Sequence, residues 1–219
     1  ISLPAIDQTG LLADNWQLGL GGYQPIGLAL DLIDAVPASA SPAVLAEVPD
    51  YLASAHLMLE SDKAAQARVA AYASARLTPM RTAIGYDAKA GEGPQAPVLR
   101  SSLVATLGSL GDKAVVAEAN RRFAALESNP AALDGPLKNV WLGIIAQNAD
   151  QATWDKLRAM ANGATSDLEK STMFGRLGQA KDEALAAKAR DLALTDEPGK
   201  TTSAAIIGQV GAEHPMLAV

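Results

Sequence analysis

Apolar positions along the chain recur at three- and four-residue spacing, the period of a helix with one buried face. The clearest case is Leu137, Val140, Trp141, Ile144 and Ile145, which line a single stripe if the segment is helical. Asp134 and Pro136 precede it and suit a cap and first turn. Ser166 with Glu169 three residues on has the capping-box form, in which each side chain serves the other's backbone amide, and Ser41 with Pro42 reads as another helix start. No stretch of alternating apolar and polar residues bounded by hairpin turns is present, so no strand is predicted. The pattern predicts helices over 10–20, 25–36, 42–60, 63–83, 96–110, 112–127, 135–148, 151–162, 167–179, 181–194 and 201–212. Links this short make neighbouring helices run antiparallel, which predicts an all-α fold built as a stack of helical hairpins.

An internal echo favours a stack over a closed bundle. LGSLGDKAVVAEANRRF at 107–123 and LGQAKDEALAAKARDLA at 177–193 align without a gap, placing Leu107 on Leu177, Gly108 on Gly178, Asp112 on Asp182, Ala117 on Ala187 and Ala119 on Ala189. DQATWDKLRAMA from Asp150 has the same acidic start about half way between them. Two steps of roughly 35–38 residues fit the offset, a period that belongs to two-helix solenoid repeats.

Composition narrows the function classes. The chain of 219 residues is long enough to bury a sizeable core, and alanine and leucine outweigh a 4% aromatic content, which favours helix. It has no cysteine, so disulfides, thiolate metal sites and cysteine nucleophiles are excluded while every compartment stays open. A net charge of -6 argues against a nucleic-acid partner. No window reaches the roughly 18 uncharged apolar residues a membrane span needs. The chain starts on Ile1 without an initiator Met, consistent with a fragment that lacks an upstream portion.

The candidate chemistry is sparse. AIGYDAKAGEG at 83–93 is glycine-rich, but Gly85, Gly91 and Gly93 have neither Walker nor dinucleotide spacing, no predicted strand precedes them, and Glu92 would repel phosphate. It reads as a connector between helices, with Tyr86 against its neighbours and Asp87, Lys89 and Glu92 in water. His56 shares a helix face with Glu60 but has no second histidine to complete a zinc pair, and reads as a partly buried polar residue. His214, before Pro215, reads as the mark of a helix start. Ser101 and Ser102 lie inside a predicted helix with no nucleophile elbow. Asp31, Asp34, Glu118, Arg121 and Arg122 read as solvated helix surface, and Trp16, Tyr51, Tyr72, Phe123, Trp141 and Trp154 as core. Catalytic, cofactor-binding and metal residues are therefore predicted to be none.

Several stretches in order resemble a known family. LPAIDQTGLLADNWQLG, with Asp7, Leu11, Leu12 and Asp14, is similar to the opening of the helical C-terminal domain of zinc aminopeptidases related to aminopeptidase N and puromycin-sensitive aminopeptidase, with Gln8 where that family usually has arginine. Gly85, Tyr86, Gly91, Glu92, Leu99, Arg100, Gly111 and Asp112 match its next series, Ala119, Arg122 and Phe123 a third, and HPMLAV the closing repeats. The resemblance implies one helical-repeat domain over 1–219, a HEAT- or armadillo-like superhelix, carried as the C-terminal part of a larger aminopeptidase. It implies that this domain closes over a catalytic domain of the same polypeptide and limits which peptide substrates enter. The family's H-E-x-x-H, downstream glutamate and G-x-M-E-N are not in these residues, so zinc is expected in the parent's catalytic domain and none here. The family usually continues through at least one further helix beyond Val219, so either the parent ends early or the chain is truncated. The alternative from another class is a free-standing helical-repeat scaffold that binds a peptide or protein in its concave groove. An independent helical hydrolase has no nucleophile or metal cluster behind it.

Overall fold

A computed structural model describes residues 3–217, and among them it contains eleven α-helices and no strand. They are α1 Ala5–Leu20, α2 Gly27–Ala35, α3 Pro42–Met58, α4 Lys63–Ile84, α5 Ala96–Ser109, α6 Lys113–Ala125, α7 Lys138–Gln147, α8 Gln151–Gly163, α9 Asp167–Leu177, α10 Glu183–Ala193 and α11 Lys200–Glu213, closed by a 3-10 turn at Pro215–Leu217. The largest departure from the sequence reading is α1, which starts at Ala5 rather than residue 10 because Pro4 occupies the cap and Gly10 is carried inside the helix. α7 starts later than expected. Its cap position is Leu137, and Asp134, the expected cap, instead pairs across the surface with Lys138 at 3.3 Å.

The chain divides into two compact units, Ile1–Val115 and Val116–Val219. In the first, α1 meets α3 and α3 meets α5, while α2 packs on α1 and α4 packs on α3 and α5. Trp16 and Tyr51 seal α1 to α3 with ring centroids 5.1 Å apart. Ser102 Oγ reaches Asp50 Oδ1 at 2.9 Å and the Ala46 carbonyl at 3.2 Å, so one of the two helix serines ties α5 to α3. In the second unit α7 meets α9 and α9 meets α11, with α8 on α7 and α9, and α10 on α9 and α11. Leu137, Trp141, Ile144 and Ile145 are buried as their spacing requires.

The acidic starts of the echo are helix caps. Asp112 Oδ1 accepts from the Val115 amide at 3.0 Å, Asp150 Oδ1 from Thr153 at 2.8 Å, and Asp182 Oδ1 from Leu185 at 3.0 Å. Asp62 does the same for Ala65 at 2.9 Å, so α4, α6, α8 and α10 all open on an aspartate that satisfies an otherwise orphaned amide. Ser166 Oγ accepts from Glu169 and Ser41 Oγ from Val44, as the sequence predicts. Leu107 and Leu177, and Ala119 and Ala189, are each fully buried, so the aligned positions share an environment as well as a residue type.

Three assignments on the helices change, those of Tyr72, Glu118 and Arg122. Tyr72 is 36% exposed rather than core, because its hydroxyl is drawn to Asp34 on α2. That bond and burial push the phenol up to about 12, burial contributing most. Asp34 is exposed as read and accepts that bond. Glu118 and Arg122 are not solvated: their side chains keep only 16% and 15% exposure, bonded at 2.7 Å, and the Arg122 guanidinium lies 5.1 Å from the Trp141 ring centroid. Arg121, 66% exposed, is on the surface as read and bonds Glu118 too, which holds that carboxyl below its usual range.

Gly178 illustrates how tightly α9 and α11 approach. A Cβ there would sit 2.7 Å from the Ile206 carbonyl oxygen, a backbone atom that cannot swing away. Gly178→Ala is expected to lower stability by about 1–3 kcal/mol, the usual cost of overpacking, as read by urea unfolding of the purified chain.

The Arg158 guanidinium makes a forked contact with Glu197, Nε to Oε1 at 2.7 Å, and Asn162 Nδ2 adds a bond at 2.9 Å. The Arg158 hydrogen bond is the main cause that lowers the Glu197 carboxyl from 4.5 to about 2. A depressed carboxyl contributes stability above its unfolded pKa and loses it as pH falls through the folded one. The Glu197→Gln chain should therefore melt below the native chain at pH 7, and the gap should close between about pH 4.5 and about pH 2 in a series of thermal melts.

Candidate functional site

The glycine-rich connector is built into the first unit as the rim of a cleft. α4 ends at Gly85, whose φ of +77° lets the chain leave the helix at an angle a side chain would resist. Lys89 folds back, donating from Nζ to the Ala83 carbonyl at 2.8 Å. Arg100, on the first turns of α5, is 4% exposed and holds the connector from below. Its Nε donates to the Gly85 carbonyl at 3.2 Å and its outer nitrogen pairs with Glu92. The Arg81 guanidinium lies 5.0 Å from the Tyr86 ring centroid, so Tyr86 is half-buried against α4 as expected.

Glu92 departs from the sequence reading. It keeps only 16% exposure because its carboxylate is the counter-charge of a buried arginine, whereas Asp87 and Lys89 are exposed as expected. The connector is therefore a fastened loop. Nothing about it cradles phosphate: α4 precedes it where a strand would be needed, and its one inward carboxylate is taken by Arg100.

Beneath the loop, between α3, α4 and the start of α5, lies a cavity of about 590 Å³. Buried Leu45 and Leu99 form its floor, Met80 and Ile84 line it from α4, and exposed Ala38, Ala83 and Gly93 stand at its mouth. Two helix-interior prolines lie in the helices that bound it. Pro49 in α3 and Pro79 in α4 have no amide to offer the carbonyls of Leu45 and Ala75, both lining residues, so a helical rung is missing on each side. Alanines at 38, 75, 83 and 96 then leave the gap unfilled. Arg76, Lys89 and Glu92 are the charged lining residues. Arg76 donates to the Val36 carbonyl, and its Nε is buried with no hydrogen-bond partner.

This cavity was not anticipated from the sequence. The available signal was a proline inside each of two helices facing a run of alanines, since helix-interior proline interrupts the ladder that lets neighbours close up. A second, smaller hollow of about 150 Å³ lies between Gln8, Leu12, Leu32 and Val44.

The remaining candidates stay apart. His56 is half-buried on α3 and Glu60 exposed beyond its end, while His214 follows α11 and immediately precedes the 3-10 turn at Pro215–Leu217, the helix start it was expected to mark, with Nε2 2.9 Å from the Ala180 carbonyl oxygen. Among the described residues no group of three or more His, Cys, Asp or Glu could hold a metal ion, so they do not fit a zinc site. No helix among the described residues is long and apolar enough to cross a membrane. Of the stretch HPMLAV, Ala218 and Val219 lie outside the described residues.

Comparison with known proteins places these features in context. The family model described as the ERAP1-like C-terminal domain matches residues 1–217. Among curated proteins, Aminopeptidase M1-A of Oryza sativa subsp. japonica is 27% identical over 216 residues, which cover 96% of this chain and 25% of that protein. The chain thus spans about a quarter of the length of that relative.

Proposed function

Because the chain belongs to the family of ERAP1-like C-terminal domains, we propose that it acts as the helical C-terminal domain of a zinc aminopeptidase that releases N-terminal residues from peptides, with no catalytic residue of its own. The observation that carries this reading is the match over residues 1–217 together with an aminopeptidase relative in which the aligned segment is one quarter of the protein. In this proposal the 219 residues work as one helical-repeat domain, a superhelix of antiparallel pairs. The aspartate caps at Asp62, Asp112, Asp150 and Asp182, recurring at alternate helices, support it. The domain closes over a catalytic domain of the same polypeptide, encloses the active-site cavity and limits which peptides reach it; excluding water there strengthens the electrostatics of the chemistry. Zinc belongs to that catalytic domain.

The test has two arms. The 219-residue chain alone should neither turn over an aminoacyl anilide nor carry stoichiometric zinc by elemental analysis. The coding sequence upstream should contain H-E-x-x-H and G-x-M-E-N, and deleting this domain from the parent should change the ratio of kcat/KM for long against short peptides. Turnover by the isolated chain overturns the reading in favour of an independent hydrolase, and a parent without those motifs overturns it and leaves the free-standing scaffold.

A further inference from the structure

The cleft under residues 85–95 has a size and a charge distribution that point to a ligand. Its volume of about 590 Å³ falls within the roughly 300–1,000 Å³ usual for small-molecule sites. Its walls are mostly apolar, and its charged lining residues are two cations, Arg76 and Lys89, and one carboxylate, Glu92; Asp34, bonded to Tyr72 near Arg76, is not among the lining residues. Glu92 is already neutralised by Arg100. The two cations meet only neutral oxygens among the described bonds: Arg76 the Val36 carbonyl, Lys89 the Ala83 carbonyl. Neither is in a described ion pair. Arg76 Nε is itself covered by protein, so a ligand in the cleft meets the outer edge of the guanidinium and not this atom.

We propose that this cleft binds a small amphiphile with an unbranched apolar tail and a single carboxylate, the tail lying on Leu45, Met80 and Leu99 and the carboxylate meeting Arg76 and Lys89. A neutral alcohol with the same tail would gain the apolar contacts and forgo the charge-assisted bonds, and an amine would meet two cations. A free medium-chain fatty acid has this chemistry. The site is separate from the proposed role over a catalytic domain and stands or falls without it.

The test titrates the 219-residue chain with sodium decanoate by calorimetry and follows the Met80 methyl by NMR. Saturable binding at one site below about 1 mM is expected, tightening about three- to fourfold for each methylene from hexanoate to decanoate. Decanol and decylamine should bind at least about tenfold more weakly. The double substitution Arg76→Gln with Lys89→Met should weaken decanoate about tenfold and leave decanol unchanged. Ala83→Phe, at an exposed position of the mouth, should obstruct the entrance and weaken binding of both at least about tenfold, with unchanged far-UV circular dichroism showing that the chain remains folded. Should the double substitution unfold the chain, Lys89→Met alone, on the loop, carries the charge test. No saturable binding, decanol or decylamine equal to decanoate, or Ala83→Phe without effect each overturns the proposal.

Discussion

Trp154→Ala should destabilise the chain by about 4 kcal/mol, within the usual range for removing a large aromatic side chain from a core. The indole is 1% exposed, and two further contacts make its loss hard to repair. Its Nε1 donates to the Leu177 carbonyl at 3.2 Å, at the end of α9 where helical carbonyls have no partner of their own. Its ring also carries the Lys188 ammonium 4.5 Å from the centroid, which ties α8 to α10. Trp154→Phe keeps most of the volume and drops the donor, so it should cost less than half as much. Urea denaturation followed by far-UV circular dichroism measures both, and equal costs for the two substitutions would show that the hydrogen bond, not the packing, dominates.

Arg100→Met should cost about 3 kcal/mol and open the loop above the cleft. Removing one partner of a buried pair leaves the other charge without compensation, and that penalty exceeds what the intact pair contributes. Here the residue left behind is Glu92, which is largely covered, and the Gly85 carbonyl loses its donor as well. Adding Glu92→Leu to Arg100→Met should recover a large part of the loss, since two apolar groups replace a stranded charge. The double-mutant cycle reads this coupling, and limited proteolysis between Gly85 and Pro94 reads the loop. Additive costs from the two single substitutions, with a loop that resists protease in Arg100→Met, would refute the view that this pair fastens the connector.

The order of helices was legible because an alanine- and leucine-rich chain with short links has few other options. Eleven predicted segments correspond to eleven helices, and the errors fall at ends, where a single glycine or aspartate misleads. Gly10 was read as a boundary although a helix tolerates one glycine at modest cost, and Asp134 was read as a cap although it lies four residues before Lys138 and pairs with it instead. The two-helix period was legible through Asp112, Asp150 and Asp182, whose cap bonds depend only on neighbours in sequence.

Glu92, Glu118 and Arg122 were misread for the opposite reason. A charged residue at helical or loop spacing is usually solvated. The spacing of Glu118 and Arg122 announces their pair but not its cover by Trp141 on α7, and nothing local announces that Arg100 on α5 will bury Glu92. The cleft escaped notice likewise. Its floor comes from α3 and α5, its wall from α4 and its rim from the connector, so no contiguous stretch encodes it.

The sequence by itself determined the all-helical class, the acidic helix starts at Asp112, Asp150 and Asp182 and the family, since each rests on local periodicity, local hydrogen bonds or ordered motifs that survive without a three-dimensional arrangement. Only the tertiary structure decided what AIGYDAKAGEG is. Arg100, distant by a turn and a helix start, converts it from slack into a fastened rim, and α3, α4 and α5 together enclose the space beneath it. Pairing of a buried charge between a loop and the next helix, and a cleft bounded by three helices, are properties of side chains brought together by folding, and no single segment carries them.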